Sequence, residues 1–281
     1  MRIAITGANG QVGQALQAQL TNHDLCPLIR PDYDVSDPTI VKKLVALQPD
    51  LVIHTAAMTN VDGCAKDPSA AYLVNSFGTQ NVALACLQSD AAMVYISTNE
   101  VFDGTASQPY HEFDQTHPIN AYARSKTAGE QMATRLVRRL YIVRTAWVFA
   151  KRANNFPAKI IQAADKFGQL RVVTDEVSAP TYAPDLATAI SQLINTDHFG
   201  IYHFVNEGIC SRYDYAMEIL KQSGRDHIPV EPITSEAFQR ASVPPQYAPL
   251  QNNLGATLGI QLRPWQEALI AYFDESSPVS S

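Results

Sequence analysis

The sequence predicts an α/β protein: a Rossmann-type, doubly wound parallel sheet with a smaller, mixed α/β substrate lobe. Three observations lead there. Short apolar runs alternate with longer stretches of helical period through the first 150 residues. The first run ends in a glycine cluster that opens a helix. Past about residue 150 the alternation gives way to turn-rich segments. Strand–helix alternation repeated this often implies right-handed βαβ units, hence parallel strands with helices on both faces.

The apolar runs are Arg2–Thr6, Leu25–Ile29, Leu51–Ala56, Met93–Ser97 and Leu140–Ala146. Several are rich in β-branched residues, as strands buried on both faces are. Between them, "GQALQAQLTN", "PTIVKKLVALQ", "AYLVNSFGTQNVALACLQ" and "AYARSKTAGEQMATRLV" read as helices. The later chain holds the turn signals "SAPTYAP", "SGRDHIP" and "SVPPQYAPLQNN", the helices "DLATAISQLI" and "YDYAMEILKQ", and a strand at Ile201–Asn206. This divides the chain into a dinucleotide-binding domain at 1–150, with a returning segment at roughly 172–200, and a substrate-binding lobe over most of 151–281, interleaved with the sheet domain. The tail from Asp274 to Ser281 reads as loose chain.

With 281 residues, 46% hydrophobic and 17% charged, the chain can build a sizeable core and is not disordered throughout. A net charge of −6 without any Lys/Arg run argues against a nucleic-acid partner. Cys26, Cys64, Cys86 and Cys210 form no CxxC pair, and the histidines have no ligand spacing, so no metal centre or disulfide framework is expected. No stretch approaches a membrane span, and the apolar run at the start is too short for a signal segment. A soluble, cytoplasmic protein is expected.

The cluster "ITGANGQVGQAL" holds Gly7, Gly10 and Gly13 between a strand ending at Thr6 and a helix beginning near Gln11. A dinucleotide fingerprint requires this context. Gly7 makes the tight turn, Gly10 lets the backbone approach a pyrophosphate, and Gly13 lets helix and strand pack closely. The helix N-terminus, at Gln11 and Val12, then offers free N–H groups to the phosphates. After the second strand an acid favours NAD and an arginine accommodates the 2′-phosphate of NADP. Arg30 stands there, which favours NADPH over NADH, with Asp34 and Val35 placed beside the adenine. At the end of the third strand, Ala56 and Ala57 leave room for a flat cofactor and Thr59 can bond backbone or ribose. Small residues that only let a helix pack close would look the same.

Tyr122 and Lys126 lie four apart in "NAYARSK", on one helix face. Such a pair alone arises often by chance. Here it follows a glycine triplet and the strand-end residue Thr98. A free tyrosine titrates near ~10, too high to exchange protons readily. An ammonium at ~4 Å is attracted to a phenolate by about 4 kcal/mol at an effective dielectric of ~20, which predicts a lowered Tyr122. Thr98 would orient the reacting oxygen, Tyr122 would act as general acid, and Lys126 would hold ribose hydroxyls.

The segments "GANGQVG", "HTAAMTNVDGC", "VNSFGTQNVA", "ISTNEVFDG", "YARSKTAGE", "VRTAWVFA", "SAPTYAPDLA" and "GIYHFVNEG", in this order, resemble the dTDP-4-dehydrorhamnose reductase family of extended short-chain reductases. The resemblance reaches to about Leu269. It implies hydride transfer to the C4 keto carbon of a nucleotide-linked 6-deoxy sugar, with Tyr122 supplying the proton. It also implies that Val61, Asn99 and Trp147 lie near the sugar, and that the protein is a homodimer, in some relatives with an interface Mg2+. Asn155 is either a substrate contact or the cap of a helix starting near Phe156. Two departures from the family pattern stand out. Asn99–Glu100 replaces an Asp-Tyr pair, and Pro244–Pro245 stands where an Arg-Pro is expected. Two other readings share the cofactor fold: a sugar-nucleotide epimerase or dehydratase, and a non-catalytic regulatory subunit like that of methionine adenosyltransferase.

Overall fold

The computed structural model describes residues 1–151 and 154–274. The expectation of a loose tail falls, beyond Asp274, outside the described residues. Five strands of the first half are β1 (Arg2–Thr6), β2 (Asp24–Leu28), β3 (Leu51–His54), β4 (Ala92–Thr98) and β5 (Leu140–Thr145). With Gly200–His203 they form one six-stranded sheet, ordered β2-β1-β3-β4-β5 and then Gly200–His203, with every pair parallel. Alternation along each strand sends side chains to two faces. Ile3, Ile5, Ile53 and Val143 join one core with Leu16 and Ile190. Ala4, Val52, Met93 and Ile142 join a second core with Val82 and Leu44. Both faces are covered, which is why these strands read as continuous apolar runs.

β1 lies between β2 and β3, so the winding reverses there and opens a crevice beyond the carboxyl ends of β1 and β3. The strand expected at Ile201–Asn206 within the mixed segment is the sixth strand of the sheet, paired with β5. It is reached through the helix Ala183–Leu193, which packs on the first helix, α1 (Gln11–Gln19). A short apolar run does not encode which sheet it joins. Leu170–Val173, which overlaps the start of the expected returning segment, pairs with Val230–Ile233 away from the main sheet. The helices Phe156–Phe167, Arg212–Gln222 and Trp265–Phe273 bury Ile160, Ile219 and Leu269 together to form the core of the smaller lobe.

The helix read through "AYLVNSFGTQNVALACLQ" is broken by a π-helical turn at Leu73–Phe77. π-turns redirect side chains and often mark functional sites. Here the turn buries Asn75. Its Oδ1 accepts from Met58 N at 2.7 Å, and its Nδ2 donates to Met58 O and to Ser125 Oγ, both at 3.0 Å. The loop after β3 is thereby tied to the helix Ala121–Leu136. Gly129 on that helix faces the same junction, where an added Cβ would meet the Asn75 carbonyl oxygen at 2.5 Å and the Tyr95 hydroxyl. Gly129→Ala should therefore cost about 1–3 kcal/mol in urea unfolding, as overpacking does. An unchanged midpoint would show that the helix can shift freely there.

Candidate active site

The turn after β1 requires its glycines. Gly7 has φ +66°, and a Cβ on it would lie 2.8 Å from Ala56 Cα. A Cβ on Gly13 would lie 2.5 Å from Gly7 O. Gly10 caps α1, its N–H donating to Gly7 O at 2.9 Å. The first-turn N–H groups at Gln11 and Val12 have no intrahelical acceptor and face outward, a setting that suits an anion.

Beyond this turn lies a cavity of about 500 Å³. It gathers Gly10, Gln11 and Val12 from the turn, Ala57, Thr59 and Val61 from the β3 loop, and Thr98 and Asn99 from the end of β4. Tyr122, Lys126, Trp147 and Asn155 complete the set of sequence-predicted residues lining it. Gly7, Gly13 and Ala56 lie behind the lining and shape the turn. Arg30, Asp34 and Val35 lie outside the cavity. Ala8 N donates to Leu28 O at 3.3 Å, so the chain leaving β2 starts beside the glycine turn, and Arg30 there is exposed. Asp34 accepts from Ser36 N and Oγ at 2.9 and 2.7 Å, which holds its carboxyl below the usual range. Val35 is buried, and its carbonyl accepts from Asn81 Nδ2.

Asn120 caps the helix Ala121–Leu136, its Oδ1 accepting from Ala123 N at 2.8 Å. Tyr122 therefore sits in the first turn, facing the end of β4. Burial and then the nearby Glu100 push its phenol well above the ordinary range, and a hydrogen bond with Thr98 opposes them. The expected lowering by Lys126 does not appear. The Lys126 ammonium is itself buried, donates to Ile96 O at 2.7 Å and lies 4.0 Å over the Tyr95 ring. Burial lowers its pKa to about 7, partly offset by Glu130.

Asn155 is the helix cap that the sequence offered as one of two readings: Oδ1 accepts from Ala158 N at 3.2 Å. Its Nδ2 also reaches Gln11 Oε1 at 3.4 Å, so it lines the cavity as well. Asn99 Nδ2 donates to Ser178 Oγ at 3.2 Å and Ala248 O at 3.0 Å, joining β4 to the late chain. An ionised aspartate could not donate these bonds, which gives the amide a structural reason. Trp147 has φ +44°, strained for a bulky side chain, and the Arg212 guanidinium lies 3.6 Å over its ring.

Sequence reasoning left Thr55, Ser97, Glu100 and Thr145 unassigned, yet all four line the cavity. The signal for Thr55, Ser97 and Thr145 was position alone, at the carboxyl ends of β3, β4 and β5. Among the described residues, no group of three or more potential metal ligands occurs and no helix is long and apolar enough to cross a membrane.

A family model described as the RmlD substrate binding domain matches residues 1–277. The spore coat polysaccharide biosynthesis protein SpsK of Bacillus subtilis is 36% identical over 279 residues, covering 98% of each chain. The dTDP-4-dehydrorhamnose reductase of Mycobacterium tuberculosis is 36% identical over 277 residues, covering 95% of this chain and 91% of its own. The crystal structure of the Bacillus anthracis dTDP-4-dehydrorhamnose reductase in complex with NADP superposes with a TM-score of 0.93 at 37% identity, over 97% of this chain and 98% of that one. With the sheet order, the glycine turn and near-complete coverage by such relatives, this chain belongs to the dTDP-4-dehydrorhamnose reductase family of oxidoreductases.

Proposed function

We propose that the protein reduces the C4 keto group of dTDP-4-dehydro-L-rhamnose to give dTDP-L-rhamnose, with NADPH as cofactor. The observation that carries this reading is the convergence of Thr98, Tyr122 and Lys126 on one cavity with the Gly10–Val12 helix start. The names of the relatives and the NADP in the Bacillus anthracis structure support it. The cavity also suits a dinucleotide. Its turn is closed to any Cβ at Gly7 and Gly13, and it holds a buried hydroxyl, Thr145 Oγ1, without a hydrogen-bond partner.

NADPH, when bound, supplies the hydride. Gln11 and Val12 N–H groups would receive its pyrophosphate, and the exposed Arg30 after β2 would take the ribose phosphate. Tyr122 is protonated at neutral pH, because burial and Glu100 disfavour the phenolate. A neutral phenol is the state a proton donor requires. It gives its proton to the carbonyl oxygen as charge grows there, and Thr98 Oγ1 donates a second hydrogen bond to that oxygen. Lys126 orients ribose hydroxyls as an ammonium. Val61, Asn99, Trp147 and Asn155 shape the sugar site.

Mixing the protein with NADPH and dTDP-4-dehydro-L-rhamnose should consume reduced cofactor, read as falling absorbance. Cofactor binding with no turnover of any keto-sugar would overturn the reading and point to a regulatory role. A pH dependence follows from Lys126, whose depressed pKa makes it neutral above about 7. Reduction needs the charged form, so kcat/KM should fall as pH rises through that value, and the Lys126→Arg variant should lose that inflection. A wild-type profile that stays flat from about pH 6 to 9 would count against the role given to the ammonium.

A further inference from the structure

Glu100 is a carboxylate in the cavity whose only part in the proposed reduction is to disfavour the Tyr122 phenolate. It follows Thr98 within the short 3₁₀ turn Asn99–Val101 and lines both the main cavity and a smaller one beside Arg212 and Arg240. Its Oε2 accepts from Asn120 Nδ2 at 2.7 Å. Among the described residues, its Oε1 takes part in no hydrogen bond. Its charge acts on the Tyr122 phenol, so the two groups share one site. Burial raises the carboxyl, Glu176 adds to this, and Asn120, Arg240 and Arg212 oppose it. Glu100 is half-buried, so Oε1 is open to the cavity and free to take a proton from a ligand there. A glutamine would hold Asn120 equally well through its own oxygen.

The proposed substrate carries acidic C–H bonds on either side of its carbonyl carbon. With that oxygen held by Tyr122 and Thr98, the neighbouring carbon lies one bond farther on, within the same small space as Glu100. We propose that Glu100 is a carbon-acid base that enolises the bound keto-sugar, an activity independent of hydride transfer. The inference rests on the keto-sugar reading given above. In the step, the C–H bond next to the carbonyl breaks and its proton passes to Glu100 Oε1. The electron pair forms a C=C bond while the carbonyl π pair moves to oxygen. The Tyr122 and Thr98 hydroxyls stabilise that oxygen. The reverse step returns a proton from the carboxyl, which has meanwhile exchanged with solvent. No oxidant or reductant is consumed.

The test is hydrogen exchange in D2O, with the protein, NADP+ in place of NADPH, and dTDP-4-dehydro-L-rhamnose, followed by mass spectrometry. Deuterium should enter the sugar at least about 10²-fold faster than without protein, the scale of general-base catalysis. Glu100→Gln should lose most of that acceleration and Glu100→Asp should keep part of it. NADPH binding, read by fluorescence, shows whether each variant has folded. If the wild type consumes NADPH with the keto-sugar but exchanges no hydrogen above background, the inference is wrong and the reductase reading stands. If folded Glu100→Gln exchanges at the wild-type rate, Glu100 is not the base. If neither reduction nor exchange occurs, both readings fall.

Discussion

Tyr122→Phe should lower turnover by about 10²–10⁴-fold while NADPH affinity stays within a few-fold. The substitution removes one hydroxyl and keeps the ring, so packing against Cys64 and Ala71 in the local core is preserved. In the proposed reaction, what disappears is the proton that would meet the growing charge on the carbonyl oxygen. Thr98 remains as a hydrogen-bond donor but, as an alcohol on a strand end, makes a poor proton donor. Steady-state NADPH oxidation and a fluorescence titration separate the two effects. A variant retaining more than about a tenth of wild-type kcat would mean that water or another group delivers the proton.

The largest stability loss should come from Glu130→Ala, about 3–5 kcal/mol in urea unfolding, because it leaves a buried cation unpaired. Arg144 and Glu130 form a two-pronged pair, Nε to Oε1 at 3.0 Å and Nη2 to Oε2 at 2.8 Å, with both residues buried. Ser97 Oγ donates to the same carboxylate at 2.6 Å. Nη1 of Arg144 already lacks a partner, so the guanidinium has no alternative acceptor close by. The change should also reach the active site. Glu130 is the group that raises Lys126 against burial, so its removal should move the activity inflection to lower pH. A loss under about 1 kcal/mol would show that solvent enters to hydrate Arg144.

The parts of the fold that are periodic were legible in the sequence. β1, β3, β4 and β5 are apolar runs because both sheet faces are covered, and Gly7 and Gly13 are fixed by backbone contacts that any side chain would violate. The sixth strand was legible as a strand but not as a sheet member, because its pairing with β5 is set by a crossover of more than fifty residues. In the site, Tyr122 and Lys126 were legible from spacing, whereas their electrostatics were not. Desolvation depends on what encloses a group: Glu100 and Tyr95 come from other elements, and Glu130, although on the same helix four residues after Lys126, is buried by packing that spacing does not reveal. Thr145 was hidden for the same reason: nothing in "VRTAW" tells that its hydroxyl ends up buried without a partner.

The late arrival of the strand Gly200–His203 has a consequence for how the chain can be divided. Leu186, Ile190 and Leu193 fill the same core as Leu16 of α1 and Leu20 just after it, and the first turn of α1 lines the crevice. A fragment ending at residue 150 would leave α1 without the helix that packs on it and turn the fully buried strand β5 into an exposed, apolar edge. Such a fragment should aggregate instead of binding nucleotide. Residues 1–150 are thus not expected to form an autonomous module, because their foundation comes from residues 183–203, translated between two parts of the smaller lobe.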